Sequence, residues 1–133
     1  MTVETVHEAA LRRWADGYSP TAAAATELLI RTGFAEPGNP WVHADNWIDF
    51  DRIEGNIGEL PGGQQRVLRI AASLFGSVPI ALGTEVAGID RSYLELVLAA
   101  ISHVHGEGAD MVQHAGGEAS IAKLPVAYPW PGD

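Results

Sequence analysis

The run RVLRIAASLF, residues 66–75, carries its polar side chains at Arg66, Arg69 and Ser73, the i, i+3, i+7 positions of one helical stripe. A stripe this narrow leaves most of the circumference apolar, and an apolar helix surface has to be covered by neighbours. The stretch therefore predicts a helix at the structural centre, entered through Gly62 and Gly63 and stopped by Gly76, with the rest of the chain arranged around it.

The neighbours are legible on both sides. Val3, Val6, Ala10, Leu11 and Trp14 recur at helical spacing and predict a first amphipathic helix ending near Gly17. Ser19 followed by Pro20 supplies a capping oxygen and a residue pre-set for the first helical position, and the alanine-rich run that follows closes on Gly33. Residues 1–33 thus read as a helical hairpin whose methyl side chains favour close helix approach. Pro37, Gly38 and Pro40 then break regularity, and Asp49 caps a short third helix with Phe50, Ile53 and Ile57 on one face. After Gly76, a short helix is expected near residues 83–87. Asp90 caps a last long helix, in which Leu94, Val97, Leu98, Ile101 and Val104 form the core stripe and Gly106 is the stop. Residues 107–133 hold glycines, three late prolines and Trp130, the composition of an extended arm lying on its own surface or a neighbour's. The expectation is one all-α domain of five or six helices with a Pro/Trp-containing C-terminal tail.

Composition narrows the function. Seventeen acidic against 8 basic residues give a formal charge of −9, a field that repels phosphate backbones and argues against nucleic acid as a partner. Six of the acids, Glu36, Asp45, Asp49, Asp51, Glu54 and Glu59, lie in one segment against the single Arg52. That segment reads as a solvated face, with a basic partner or a cation as the alternative. Cysteine is absent, which removes disulfides, thiolate metal ligands and thiol nucleophiles. No basic leader precedes an apolar run, and no stretch reaches the roughly 18–20 apolar residues of a membrane span. The chain is expected to be cytoplasmic and not membrane-bound.

Leu60, Gly62, Gly63, Gln64 and the run from Arg66 to Leu74 resemble the LSGGQ signature of ABC ATPases and the helix after it. The resemblance covers about one-eighth of the chain and departs where Pro61 replaces the family's serine. A P-loop needs a lysine beside Ser or Thr to reach the phosphates, whereas the only lysine here, Lys123, stands in IAKLP. The narrower expectation is an anion held by the free N–H groups of Gly62, Gly63 and Gln64. Leu68 to Leu74, Gly76, Gly88 to Asp90 and the helix to His105 also resemble a group of small bacterial proteins sharing an LRIAASL helix and a GID-like cap. That resemblance implies a compact helical domain and no particular chemistry.

His103, His105, Asp110 and His114, near Glu107, are the ligand types that hold Zn²⁺ or a similar divalent ion, and a metal-dependent enzyme built on them is one alternative. His103 and His105 lie roughly 200° apart on a helix, so they converge only if its end frays, and the helix dipole gives them a simpler role. Residues 64–105 also resemble a helix-turn-helix regulator, with Arg91, Ser92, Tyr93 and Glu95 on the first turn of the reading helix. One arginine there offers little to phosphates. No G-x-S-x-G elbow is present, and catalysis is not the leading expectation. With 47% hydrophobic residues and four tryptophans, the chain holds more apolar surface than a small core readily hides. A non-catalytic helical interaction domain that self-associates is therefore expected, with Trp41, Trp47, Tyr128 and Trp130 as interface candidates and a second protein as a further partner.

Overall fold

The computed structural model describes residues 3–106, 108–113, 115–117 and 119–133; for 108–113 and 121–123 only the backbone is described. Five helices carry the fold: α1 Val6–Tyr18, α2 Pro20–Thr32, α3 Gly62–Phe75, α4 Leu82–Ala87 and α5 Arg91–His105. Two short antiparallel pairs join them, β1 Val42–His43 with β2 Trp47–Ile48, and β3 Gly108–Gln113 with β4 Ala119–Leu124. Among the described residues no helix is long and apolar enough to cross a membrane.

A capping box starts α1. The Thr5 hydroxyl accepts from the Glu8 N–H at 3.0 Å and the Glu8 carboxylate from the Thr5 N–H at 2.9 Å, so two of the donors orphaned at a helix start are satisfied. Val3 therefore precedes the helix. Val6 sits about 140° around the axis from Leu11. The core face is set by Leu11 and Ala15, and Val3 and Val6, expected to face inward, are 80% and 87% exposed.

Ser19 is the whole connection between α1 and α2. Its N–H closes α1 on the Ala15 carbonyl at 3.2 Å, and its hydroxyl opens α2 by accepting from Ala22 N–H at 3.0 Å. With Ala22, Ala24, Ala25, Leu28 and Leu29 all buried, α2 packs against α1, α3 and α5. The alanine-rich helix therefore shares the centre that the sequence assigned to α3 alone. Methyl side chains make this feasible, because they let three helices approach one axis.

Between α2 and α3 the expected loop contains the β1–β2 hairpin, and the expected third helix is two 3₁₀ turns, Phe50–Arg52 and Glu54–Asn56. Gly55 and Asn56 are poor helix formers, which shortens the helical run. Its apolar face is nonetheless placed as the spacing requires, with Phe50, Ile53 and Ile57 all buried. Asp49 caps the first turn, its carboxylate accepting from Asp51 N–H at 3.2 Å. His7 ties the segment to α1 through the Ala35 carbonyl at 2.7 Å and the Asn46 side chain at 3.0 Å.

On α3, Val67, Leu68, Ile70, Ala71 and Ala72 are buried, and Gly76, at φ 98°, lets its own N–H and that of Ser77 return to the Ala72 and Ser73 carbonyls. Gly88 has a different reason: a side-chain carbon there would meet the Arg66 Nε at 2.2 Å, and Arg66 crosses it to reach the Thr84 carbonyl at 2.8 Å. The stripe expected for α5 is corrected in part. Val97, Ala99 and Ala100 enter the core, with Tyr93 and Leu96 packed against it, whereas Leu98 and Ile101 are 39% and 40% exposed. Against an alanine-rich neighbour, small residues fit where leucine does not, so α5 keeps apolar side chains on two faces.

After α5 the chain forms the β3–β4 hairpin where glycines and an extended arm were expected, with Gly116 and Gly117 at positive φ in its connection. Residues 125–133 then return to the helices. Tyr128 N–H donates to the Ser102 hydroxyl at 2.8 Å, and Trp130, 8% exposed, lies 5.0 Å from the His103 ring. Arg31 covers the Trp130 ring at 4.8 Å and pairs with Asp133 at 2.9 Å. The same Arg31 holds Glu27 at 2.9 Å, and Glu27 takes Arg12 of α1 at 2.8 Å, so one charged chain clasps α1, α2 and the tail.

Two outcomes follow from these contacts. The Thr26 hydroxyl is fully buried with no hydrogen-bond partner among the described residues, so Thr26→Val keeps shape and removes a desolvated group. Urea unfolding should show the variant equal to or more stable than the parent by up to about 1 kcal/mol, and a loss of stability contradicts this. Burial pushes the Glu27 carboxyl up, but the hydrogen bonds from Arg12 and Arg31 more than offset it and hold Glu27 below its ordinary value of 4.5. Its contribution is therefore complete above that value and is lost as pH falls through the lowered pKa. Glu27→Gln should cost about 1–3 kcal/mol at pH 7, with the gap to the parent narrowing below pH 4.5; a pH-independent gap in parallel unfolding curves contradicts it.

Candidate functional site

Aromatic residues from four elements converge on one side of the domain. Trp14 and Tyr18 are one turn apart on α1, with ring centroids at 5.7 Å. From α3, Phe75 lies 5.6 Å from Tyr18 and stacks on Phe50 of the first 3₁₀ turn at 4.4 Å. On the other flank Trp47 of β2 is 6.5 Å from Trp14 and stacks on His43 at 4.7 Å. The rings form a continuous arc. Within it is a pocket of about 210 Å³ lined by Trp14, Tyr18, Trp47, Phe50 and Phe75, with Asp49 and Asp51 among its walls.

Each element brings its ring by a local rule. The i, i+4 spacing on α1 places Trp14 and Tyr18 over each other. The left-handed Asn46, φ 62°, turns the β1–β2 hairpin so that His43 pairs with Trp47. The buried Phe50 anchors the segment from below, and the Asp49 cap fixes both carboxylates beside it. Ser77, just past the Gly76 stop, donates its hydroxyl to Asp51 Oδ1 and ties the end of α3 to the first 3₁₀ turn. Among the described residues, neither Asp49 nor Asp51 is in an ion pair.

A second and larger cleft, about 560 Å³, is lined by Glu4, Glu8, Arg12, Arg31, Leu96 and Asp133. Four of its five charged residues are paired, Arg12 with Glu4 and Glu27 and Arg31 with Glu27 and Asp133, and the Glu8 carboxylate is taken by the Thr5 N–H. Size thus favours this cleft, and unpaired charge favours the aromatic pocket. Charge decides, since a paired carboxylate has already met its partner.

The residues singled out in the sequence are dispersed. His103 is half-buried, its Nδ1 is 2.7 Å from the Ala99 carbonyl, and its ring stacks on Trp130. His105 is exposed at the end of α5, Asp110 lies on β3, and His114 and Glu107 fall outside the described residues. No group of three or more histidines, aspartates and glutamates able to hold a metal comes together among the described residues. Gly62, Gly63 and Gln64 do open α3, where the N–H groups of Gln64 and Gln65 turn to the Pro61 carbonyl at 3.0 Å. Of the aromatic candidates, Trp41 is 2% exposed and donates its indole N–H to the Phe34 carbonyl at 2.8 Å, and Trp130 is buried under Arg31. Trp47 and Tyr128 keep exposed surface. The helix-turn-helix candidates sit at the start of α5, where Arg91 is paired with Glu95 at 3.7 Å and Asp90 caps the helix through Tyr93 N–H.

Sequence reasoning gave Trp14, Phe50 and Phe75 to the core and did not assign Tyr18 to any site. The Trp14–Tyr18 spacing was visible in the sequence; that Phe75 and Trp47 would close around it was not, because those contacts join segments far apart in the chain. Comparison with protein-family models, with curated proteins and with solved structures finds no match to this chain, so the likenesses at residues 60–76 rest on those motifs alone.

Proposed function

We propose that the chain is a non-catalytic helical interaction domain that pairs with a second copy of itself through the outer face of α5. The observation behind this reading is the apolar stripe left outside the core, in which Leu98 and Ile101 are exposed and Leu94 is half-exposed one turn earlier. A helix facing water ordinarily turns charged and polar residues outward, and here Leu98 and Ile101 take such positions between Arg91 and His105.

The stripe is self-complementary. In an antiparallel two-fold pairing centred between Leu98 and Ile101, each leucine meets the partner's isoleucine, so one patch serves both copies. Arg91, whose side chain is 91% exposed, then lies beside the C-terminal end of the partner helix, where the carbonyl dipoles favour a cation. Tyr128, held next to this face by its N–H bond to Ser102, extends the apolar surface beyond the helix.

Sedimentation and light scattering across a range of concentrations should show a reversible dimer. Leu98→Glu with Ile101→Glu should give a monomer with unchanged far-UV circular dichroism, because both side chains are already partly exposed. A parent chain that stays strictly monomeric at high concentration ends this reading.

A further inference from the structure

We propose that the aromatic pocket formed by α1, β2, the first 3₁₀ turn and the end of α3 receives an arginine side chain from a partner protein. Its lining includes five aromatic rings, and the face of a Trp, Tyr or Phe ring carries the negative part of the quadrupole, which attracts a cation lying over it. A guanidinium suits such walls better than an ammonium, since it is planar, weakly hydrated and able to stack while donating in its own plane.

The in-plane acceptors are present. Asp49 and Asp51 each use Oδ1 within the protein, for the Asp51 N–H and the Ser77 hydroxyl respectively. Their Oδ2 atoms have no protein donor among the described residues. The neighbouring sequence adds Asp45 and Glu59, both exposed, while Glu54 is held by Arg69 at 3.0 Å and Arg52 is exposed. The acidic excess of this segment, six acids against Arg52, draws a basic segment toward the pocket before contact. The cavity of about 210 Å³ admits the flat head and adjoining methylenes of one side chain.

The domain already contains this arrangement in miniature. The Arg31 guanidinium lies 4.8 Å over the Trp130 ring while its Nη2 donates to both oxygens of Asp133, at 3.1 and 2.9 Å. A ring and a carboxylate at its edge is the combination that the pocket also presents.

The test is a nuclear magnetic resonance titration of the isotope-labelled full chain with the blocked peptide Gly-Arg-Gly-Arg-Gly. The controls are the same peptide with citrulline, the uncharged isostere of arginine, and tetramethylammonium chloride. The arginine peptide should shift the Trp14 and Trp47 indole N–H resonances saturably and leave those of Trp41 and Trp130 in place. Asp49→Asn with Asp51→Asn, which preserves the cap and the Ser77 hydrogen bond, should weaken binding by about tenfold, a change equivalent to roughly 1.4 kcal/mol. The proposal is overturned by an absence of shifts, by equal binding of the citrulline peptide or by an unweakened double variant. Tighter binding of tetramethylammonium also overturns it, and would assign the pocket to small quaternary cations.

Discussion

The approach of three helices to the methyl-bearing surface of α2 is the condition on which the remaining geometry depends. Ala22, Ala24 and Ala25 occupy buried positions where larger side chains would hold the neighbours away, and Leu28 and Leu29 are fully buried on the same helix. With α1, α3 and α5 all drawn to α2, the end of α3 comes beside Tyr18, and α5 is left with a second apolar face that nothing within the chain covers. Both functional proposals are consequences of that packing. One concerns the rings that it gathers, and the other the side chains that it cannot hold.

Local chemistry was the legible part. Ser19 with Pro20, Gly33, Asp49, Gly76, Asp90 and Gly106 mark helix ends through capping oxygens or left-handed backbone, and each acts within a few residues of itself. Burial along an element was legible only where one face alone is apolar, as at Phe50, Ile53 and Ile57. On α5 both faces are, and periodicity has no means of choosing between Leu98 and Ala100. The choice belongs to α2, whose alanines accept the smaller residue.

The aromatic arc was illegible for a related reason. Trp47, Asp49 and Asp51 each carried a signal, as an interface candidate, a helix cap and an acid of the charged segment. Nothing within their own segment placed Phe75 and Tyr18 opposite them, since those contacts depend on the tertiary path of the chain. The β3–β4 hairpin shows the limit from the other side: glycine-rich flanks and weak alternation in KLPVAY gave little basis for pairing residues 108–113 with 119–124. Strand pairing is a relation between two segments and leaves only a faint trace in either one.

A junction one residue long also limits the changes of length that the α1–α2 hairpin can absorb. Ser19 alone separates α1 from α2, so a residue added to the last turn of α1, between Ala15 and Ser19, is not absorbed by a flexible link; it turns the preceding part of α1 relative to α2 by about 100°. Leu11 and Ala15 would leave the centre, and Arg12 would swing away from Glu27. Within residues 11–29, then, a change of length is a rotation, and its effect reaches the core and the charged clasp together.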